Sequence, residues 1–149
     1  MNTSTSTPVF AKPVLPAVLK LTVKKEWFDL IKSGEKTEEY RETKDYWSYR
    51  LIKELKFSGL KDWVKIKELK GKNFIPYFGG MPKKVIENSI RFSEYKYVEF
   101  KNGYSKDAQT IITECKGITI GKPTKQGSQL FKEDVFIISL GAVVWSNCG

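Results

Sequence analysis

Hydrophobic and polar positions change period several times along the chain. Val18-Leu19-Lys20-Leu21-Thr22-Val23 alternates, with Leu19, Leu21 and Val23 on one side, which predicts a half-buried strand. From Glu26 to Lys32 the apolar residues Trp27, Phe28, Leu30 and Ile31 fall on one helical face. Acidic Glu26 suits the start of that helix and Gly34 suits its stop. So short a helix needs packing, expected from Trp27 and Ile31, because an isolated one is unstable in water. Lys36 to Arg41 reads as a strand or its mouth. Asp45 to Leu55 reads as a helix, with Asp45 as N-cap and Trp47, Leu51 and Leu55 recurring on the core side.

The second half has a different texture. Leu60 to Leu69 permits a lysine-bearing helix, and Asn73 to Pro82, with Gly79-Gly80 and two prolines, reads as loop. From Val85 onward strands are expected. Glu94 to Lys101 alternates loosely, Asn102-Gly103 signals a hairpin turn, and Thr110 to Thr113 and Gly117 to Ile120 are strand-like. Asp134 to Leu140 is a nearly continuous apolar run that Gly141 should break. Several short strands with two or three short helices predict an α+β fold built on a small mixed β-barrel or curled sheet.

Length fits one domain over residues 17–149, preceded by a flexible, mostly extended arm, residues 1–16, punctuated by Pro8, Pro13 and Pro16. The arm lacks the basic and apolar regions of a secretory signal. No apolar run is long enough to span a membrane, so a cytoplasmic protein is expected. Lys and Arg outnumber Asp and Glu by 26 to 17. Much of the excess lies in a lysine-rich insert at 57–84, where seven lysines face only Asp62 and Glu68. Such a patch favours a polyanionic partner, the plain alternative being a lysine face kept for solubility.

The absence of His removes imidazole acid–base chemistry, Ser-His-Asp triads and His-metal sites. Cys115 and Cys148 have no CxxC spacing, so neither a metal site nor a cofactor is expected, and free thiols are the default.

One constellation carries more information. Gly34-x-Lys36-x-x-Glu39-x-Arg41 follows directly on the strand and short helix. In this order the segment resembles the signature of the ASCH domain family, whose members have a PUA-like β-barrel. The match covers residues 18–41. Val98 to Tyr104 and Phe136 to Gly141 are similar to later strands of such domains, and 57–84 has no counterpart. The resemblance implies a cleft for RNA, a nucleotide or a small ligand, lined by the motif.

The residues suit such a cleft. Lys36 offers three donors to a phosphate or oxyanion, and would serve as a base if desolvated. Arg41 offers a planar fork for phosphate, carboxylate or a stacked base. Glu39 can pair with either cation or accept from a base amino group. The bland alternative is an ion cluster that merely orders the turn. Strand alternation places Thr37, Glu39 and Arg41 on one face and Lys36, Glu38 and Tyr40 on the other, so Lys36 must sit in the turn to join Glu39. Tyr46 and Arg50 share a helical face and are candidate ligand contacts, whereas Trp47 is expected in the core. Asn102 and Tyr104 are candidates at the cleft edge. Glu114 is the preferred downstream carboxylate, with Glu99 close behind.

Three functions follow. The first is a nucleic-acid or modified-nucleoside binding module. The second is a small hydrolase, with Lys36, Glu39 and Glu114 catalytic. Some ASCH-like proteins resemble N4-acetylcytidine amidohydrolases, in which a Thr stands three residues after the Lys; here that position is Glu39. Others are similar to ribonucleases that use Lys with hydroxyls, for which Lys36, Tyr46 and Ser105 are available. The third is a protein–protein interaction module of a mobile element, using the 57–84 insert.

Overall fold

The computed structural model describes residues 11–56, 61–69 and 80–148. It is α+β, as the periodicities predict. In chain order the elements are β1 (Val18–Val23), α1 (Lys25–Ser33), β2 (Glu38–Glu42), α2 (Asp45–Leu51), β3 (Ile52–Leu55), β4 (Val64–Lys65), α3 (Lys83–Ser89), β5 (Ile90–Phe92), β6 (Tyr97–Asn102), β7 (Thr110–Gly121) and β8 (Val135–Ser146). Short 3-10 turns cover Ile66–Leu69 and Ser128–Leu130. Hydrogen bonding runs β1-β6-β7-β8-β2 in a five-stranded sheet and β4-β3-β5 in a three-stranded one. No helix among the described residues is long and apolar enough to cross a membrane.

The chain divides into two compact units, and β7 and β8 contribute to both. The first holds residues 11–37, 95–116 and 140–148. Here β1 runs parallel to β6, with Leu19 beside Val98 and Leu21 beside Phe100, and β6 runs antiparallel to β7. Leu19, Leu21, Val98, Phe100 and Ile111 are buried. Against them pack Phe28 and Ile31 of α1, both buried, while Trp27 is only half-buried. Phe28 therefore takes the anchoring part expected of Trp27. Gly34 ends α1 in the left-handed region, φ 84°, with its N–H on the Ile31 carbonyl, a conformation that costs a residue with a Cβ.

The second unit holds 38–56, 61–69, 80–94 and 117–139 among the described residues. β2 pairs antiparallel with the first half of β8, Tyr40 opposite Ile137 and Arg41 opposite Phe136. β3 lies between β4 and β5. Leu51, Ile52, Leu55, Ile66, Ile86, Ile90, Phe136 and Ile138 are buried.

Several expectations need correction. The helix from Asp45 stops at Leu51, and Ile52 turns to extended backbone at φ −103°, ψ 136°. Leu55 thus reaches the core from a strand, where the β-branched Ile52 and its partners on β5 are favoured. Within 60–69 the described residues form β4 and a 3-10 turn rather than one α-helix. Val85 begins no strand but lies in α3, exposed, while Ile86 one position on is buried. Asn102-Gly103 does open the turn between antiparallel β6 and β7, with Gly103 at φ 82°, but the connection is longer than the pair and extends over residues 103–109. Gly141 does not break β8. A Cβ there would lie 2.9 Å from Cβ of Glu114, so the glycine allows close approach within a continuing strand. Most of the loop expected at Asn73 to Pro82, and Lys70 and Lys72 of the insert, fall outside the described residues.

Candidate functional site

β2 places its residues by simple alternation. Glu39 and Arg41 share a face, and an Arg41 guanidinium nitrogen donates to Glu39 Oε2 at 2.6 Å. Their side chains are 17% and 9% exposed, Arg41 being the more open. On the other face, the Tyr40 hydroxyl donates to Glu38 Oε1 at 2.7 Å and accepts the Lys125 N–H at 3.0 Å. Burial first, then the hydrogen bond to the Glu38 carboxylate, pushes the Tyr40 phenol above its ordinary pKa. The ring meets Phe131 edge-on, centroids 6.1 Å apart.

α2 then brings an aromatic pair to the same arginine. The Arg41 guanidinium carbon lies 4.7 Å from the Trp47 ring centroid. That of Arg50 lies 5.3 Å from the same ring and 5.4 Å from Tyr46. An Arg50 nitrogen also donates to the Tyr46 hydroxyl at 2.9 Å, and Tyr46 and Trp47 meet edge-on, 4.9 Å between centroids. Trp47 is half-buried rather than core, and Ser48 and Leu51 are the buried residues of α2. The ring has become a platform for two guanidinium groups, each contact worth about 0.5–1 kcal/mol near a surface.

Beside this platform lies a cavity of about 280 Å³ lined by Tyr40, Arg41, Glu42, Lys44, Trp47 and Phe131. A second cavity, of about 460 Å³, shares Glu42, Lys44 and Phe131 with it and adds Lys132 and Asp134. Together they form a groove whose walls offer planar rings, a fixed guanidinium and ammonium groups. Phe131, Lys44 and Lys132 were not singled out from sequence. Phe131 and Lys132 follow a 3-10 turn far along the chain, and no local pattern marks them.

The other predicted residues belong to the first unit. Lys36 is buried, 4% exposed, with its ammonium 5.9 Å from the Trp27 ring centroid. It occupies the turn after α1, and its N–H donates to the Leu30 carbonyl. Glu114 is exposed, and its Oε1 accepts the Ala142 N–H at 3.1 Å. Glu99 is the buried carboxylate of the two. Asn102 is half-buried at the end of β6, and Tyr104 is 91% exposed.

The structure thus joins Glu39, Arg41, Tyr46 and Arg50 in one cluster and adds Trp47 to it. Among the described residues no three His, Cys, Asp or Glu side chains gather as a metal centre would require. Comparison with protein-family models, with curated proteins and with solved structures finds no match for this chain.

Proposed function

We propose that the chain is an ASCH-like, PUA-like module that binds RNA or a modified nucleoside in the groove beside Arg41. One observation carries this reading. A guanidinium held by Glu39 lies against Trp47, in a groove also lined by Tyr40, Phe131 and Lys44. Glu39 removes much of the rotational freedom of Arg41, so less entropy is lost when a phosphate or base edge binds. Trp47 and Phe131 offer stacking surface, which serves any base and is worth about 1–3 kcal/mol per base. Lys44 and Lys132 supply cations for the backbone, and the net charge of +9 supports attraction from a distance.

The test is fluorescence anisotropy with a labelled single-stranded RNA of mixed sequence. Binding should weaken steeply with salt and fall at least tenfold in Arg41→Ala. Absence of salt-sensitive binding below about 100 μM, the weak end of nonspecific affinities, sinks the reading.

A buried lysine favours a second reading. Lys36 is almost wholly removed from solvent, which is uncommon for lysine and suits an oxyanion donor in a small amide hydrolase acting on an acylated nucleoside. Incubation with N4-acetylcytidine should then release acetate in the wild type and not in Lys36→Ala. Equal release by both proteins refutes it.

A further inference from the structure

Alternation along three strands of the first unit sends a second set of charges to one face. The register places Lys20 of β1 beside Glu99 of β6, and Lys101 of β6 opposite Thr110 of β7. Leu19, Leu21, Val98 and Phe100 point to the opposite, buried face. The polar face borders a cavity of about 680 Å³, to which Lys12, Lys106, Trp145 and Asn147 also contribute. One wall is fixed by a reciprocal pair, the Thr110 N–H donating to Asn147 Oδ1 at 2.8 Å and the Asn147 N–H to the Thr110 carbonyl at 3.1 Å.

Glu99 is the informative residue. Its side chain is 7% exposed, and Oε1 receives the Lys12 ammonium at 3.0 Å. Lys12 comes from the arm, in no regular element, and is 46% exposed. Among the described residues no other side chain or backbone group bonds this carboxylate. A desolvated carboxylate has capacity for several donors, and one flexible lysine does not fill it. Around it stand Lys20, Lys101 and Lys106, which suit an anionic group. The cavity volume falls in the range of small-molecule sites.

We propose that this pocket binds a small phosphorylated ligand of the nucleoside monophosphate class. The phosphate sits among Lys20, Lys101 and Lys106. A hydroxyl or amino group at the other end donates to Glu99, and the base lies against Trp145. This site belongs to the first unit and does not rest on the reading of Arg41.

Calorimetric titration of the full chain with the four nucleoside 5′-monophosphates, the matching nucleosides and inorganic phosphate tests the proposal. At least one monophosphate binds, and its nucleoside and inorganic phosphate each bind at least about tenfold more weakly, since each lacks one set of charged contacts. Lys101→Ala with Lys106→Ala weakens the monophosphate about tenfold, and Glu99→Gln weakens it while sparing inorganic phosphate. Equal affinity for inorganic phosphate and monophosphate reduces the pocket to a cationic patch and overturns the proposal. So does failure of all four monophosphates, or a loss in Arg41→Ala without one in the lysine double variant. If Glu99→Gln fails to fold, the lysine double variant decides alone, because both lysines reach the rim from outside the core.

Discussion

The arginine platform of the second unit and the lysine pocket of the first both set a carboxylate against a cation, but they are built differently. Glu39 and Arg41 stand two residues apart on one strand, and α2 follows at once to supply Trp47 and Arg50. The guanidinium has a planar partner and a short ion pair, so its direction is set before any ligand arrives. Glu99 instead receives a half-exposed lysine from an arm, and the other cations come from β1, β6 and the loop after it. An ammonium on a four-carbon stem is a movable charge. The first arrangement suits a ligand recognised by shape and stacking. The second suits one recognised by charge, with the protein adjusting.

The two sites should share one cooperative folding unit, and the core is where that expectation is tested most strongly. Phe100 and Phe136 are both wholly buried, one in each unit. Phe100→Ala and Phe136→Ala should each cost about 3–5 kcal/mol. Since β7 and β8 run through both units, both changes should lower one shared urea transition, followed by tryptophan fluorescence and by far-ultraviolet circular dichroism. Two transitions, each moved by only one substitution, would break the comparison into two independent domains.

Binding comes next in size. Arg41→Ala should lower RNA affinity by about ten- to a hundredfold, the range of a lost charge-assisted bond. Arg41→Lys should recover little, because an ammonium keeps the charge but loses the planar fork and the stack on Trp47. Full recovery in Arg41→Lys would mean that the platform acts as a simple charge, as the lysine pocket does, and that the two sites do not differ in kind. Trp47→Ala should cost about 1–3 kcal/mol of binding.

An effect of similar size is expected at the arm. Lys12 is nearly half exposed, but Glu99 is buried and loses its ammonium partner, so Lys12→Ala should cost about 1–3 kcal/mol of stability. It should also speed cleavage of the arm by proteinase K, because the ion pair to Glu99 ties residue 12 down among the described residues. Unchanged cleavage would show that the arm is held by something else.

How far these sites were legible in sequence follows from the same contrast. Glu39, Arg41, Tyr46 and Arg50 were found because strand and helix periods act over a few residues, and the whole platform lies within residues 39–50. The α1 boundary was legible for the same reason, through Gly34. Lys12, Lys20, Lys106 and Trp145 were not, since the arm, the parallel pairing of β1 with β6, the loop after β6 and the end of β8 each bring one of them to the cavity beside Glu99. Helix ends failed where tertiary pairing overrode period. Leu55 fits the i, i+4, i+8 series of α2, yet Ile52 and Leu55 are claimed by β5. Trp47 was assigned to the core because its spacing matches Leu51, and nothing local announces two guanidinium groups on its ring.

The smallest effect concerns Tyr40, whose hydroxyl donates to Glu38 and accepts from the Lys125 backbone. Its phenol is raised above the ordinary tyrosine value, chiefly by burial and then by the Glu38 carboxylate. Ionisation would place a phenolate beside that carboxylate in a desolvated site, so the folded state holds the proton more tightly than the unfolded chain. The resulting stability is fully present below about pH 10, the unfolded value, and is lost as pH rises through the higher folded value. Thermal melts at rising alkaline pH should therefore show a loss of stability that Tyr40→Phe lacks. The phenylalanine keeps the edge contact with Phe131 but gives up the two hydrogen bonds, at about 1 kcal/mol each near neutral pH. Its melting curve should start lower and fall less steeply in alkali. Parallel curves for the two proteins would mean that the Tyr40 proton is not linked to folding, and that the hydroxyl bridge between β2 and Lys125 contributes through geometry alone.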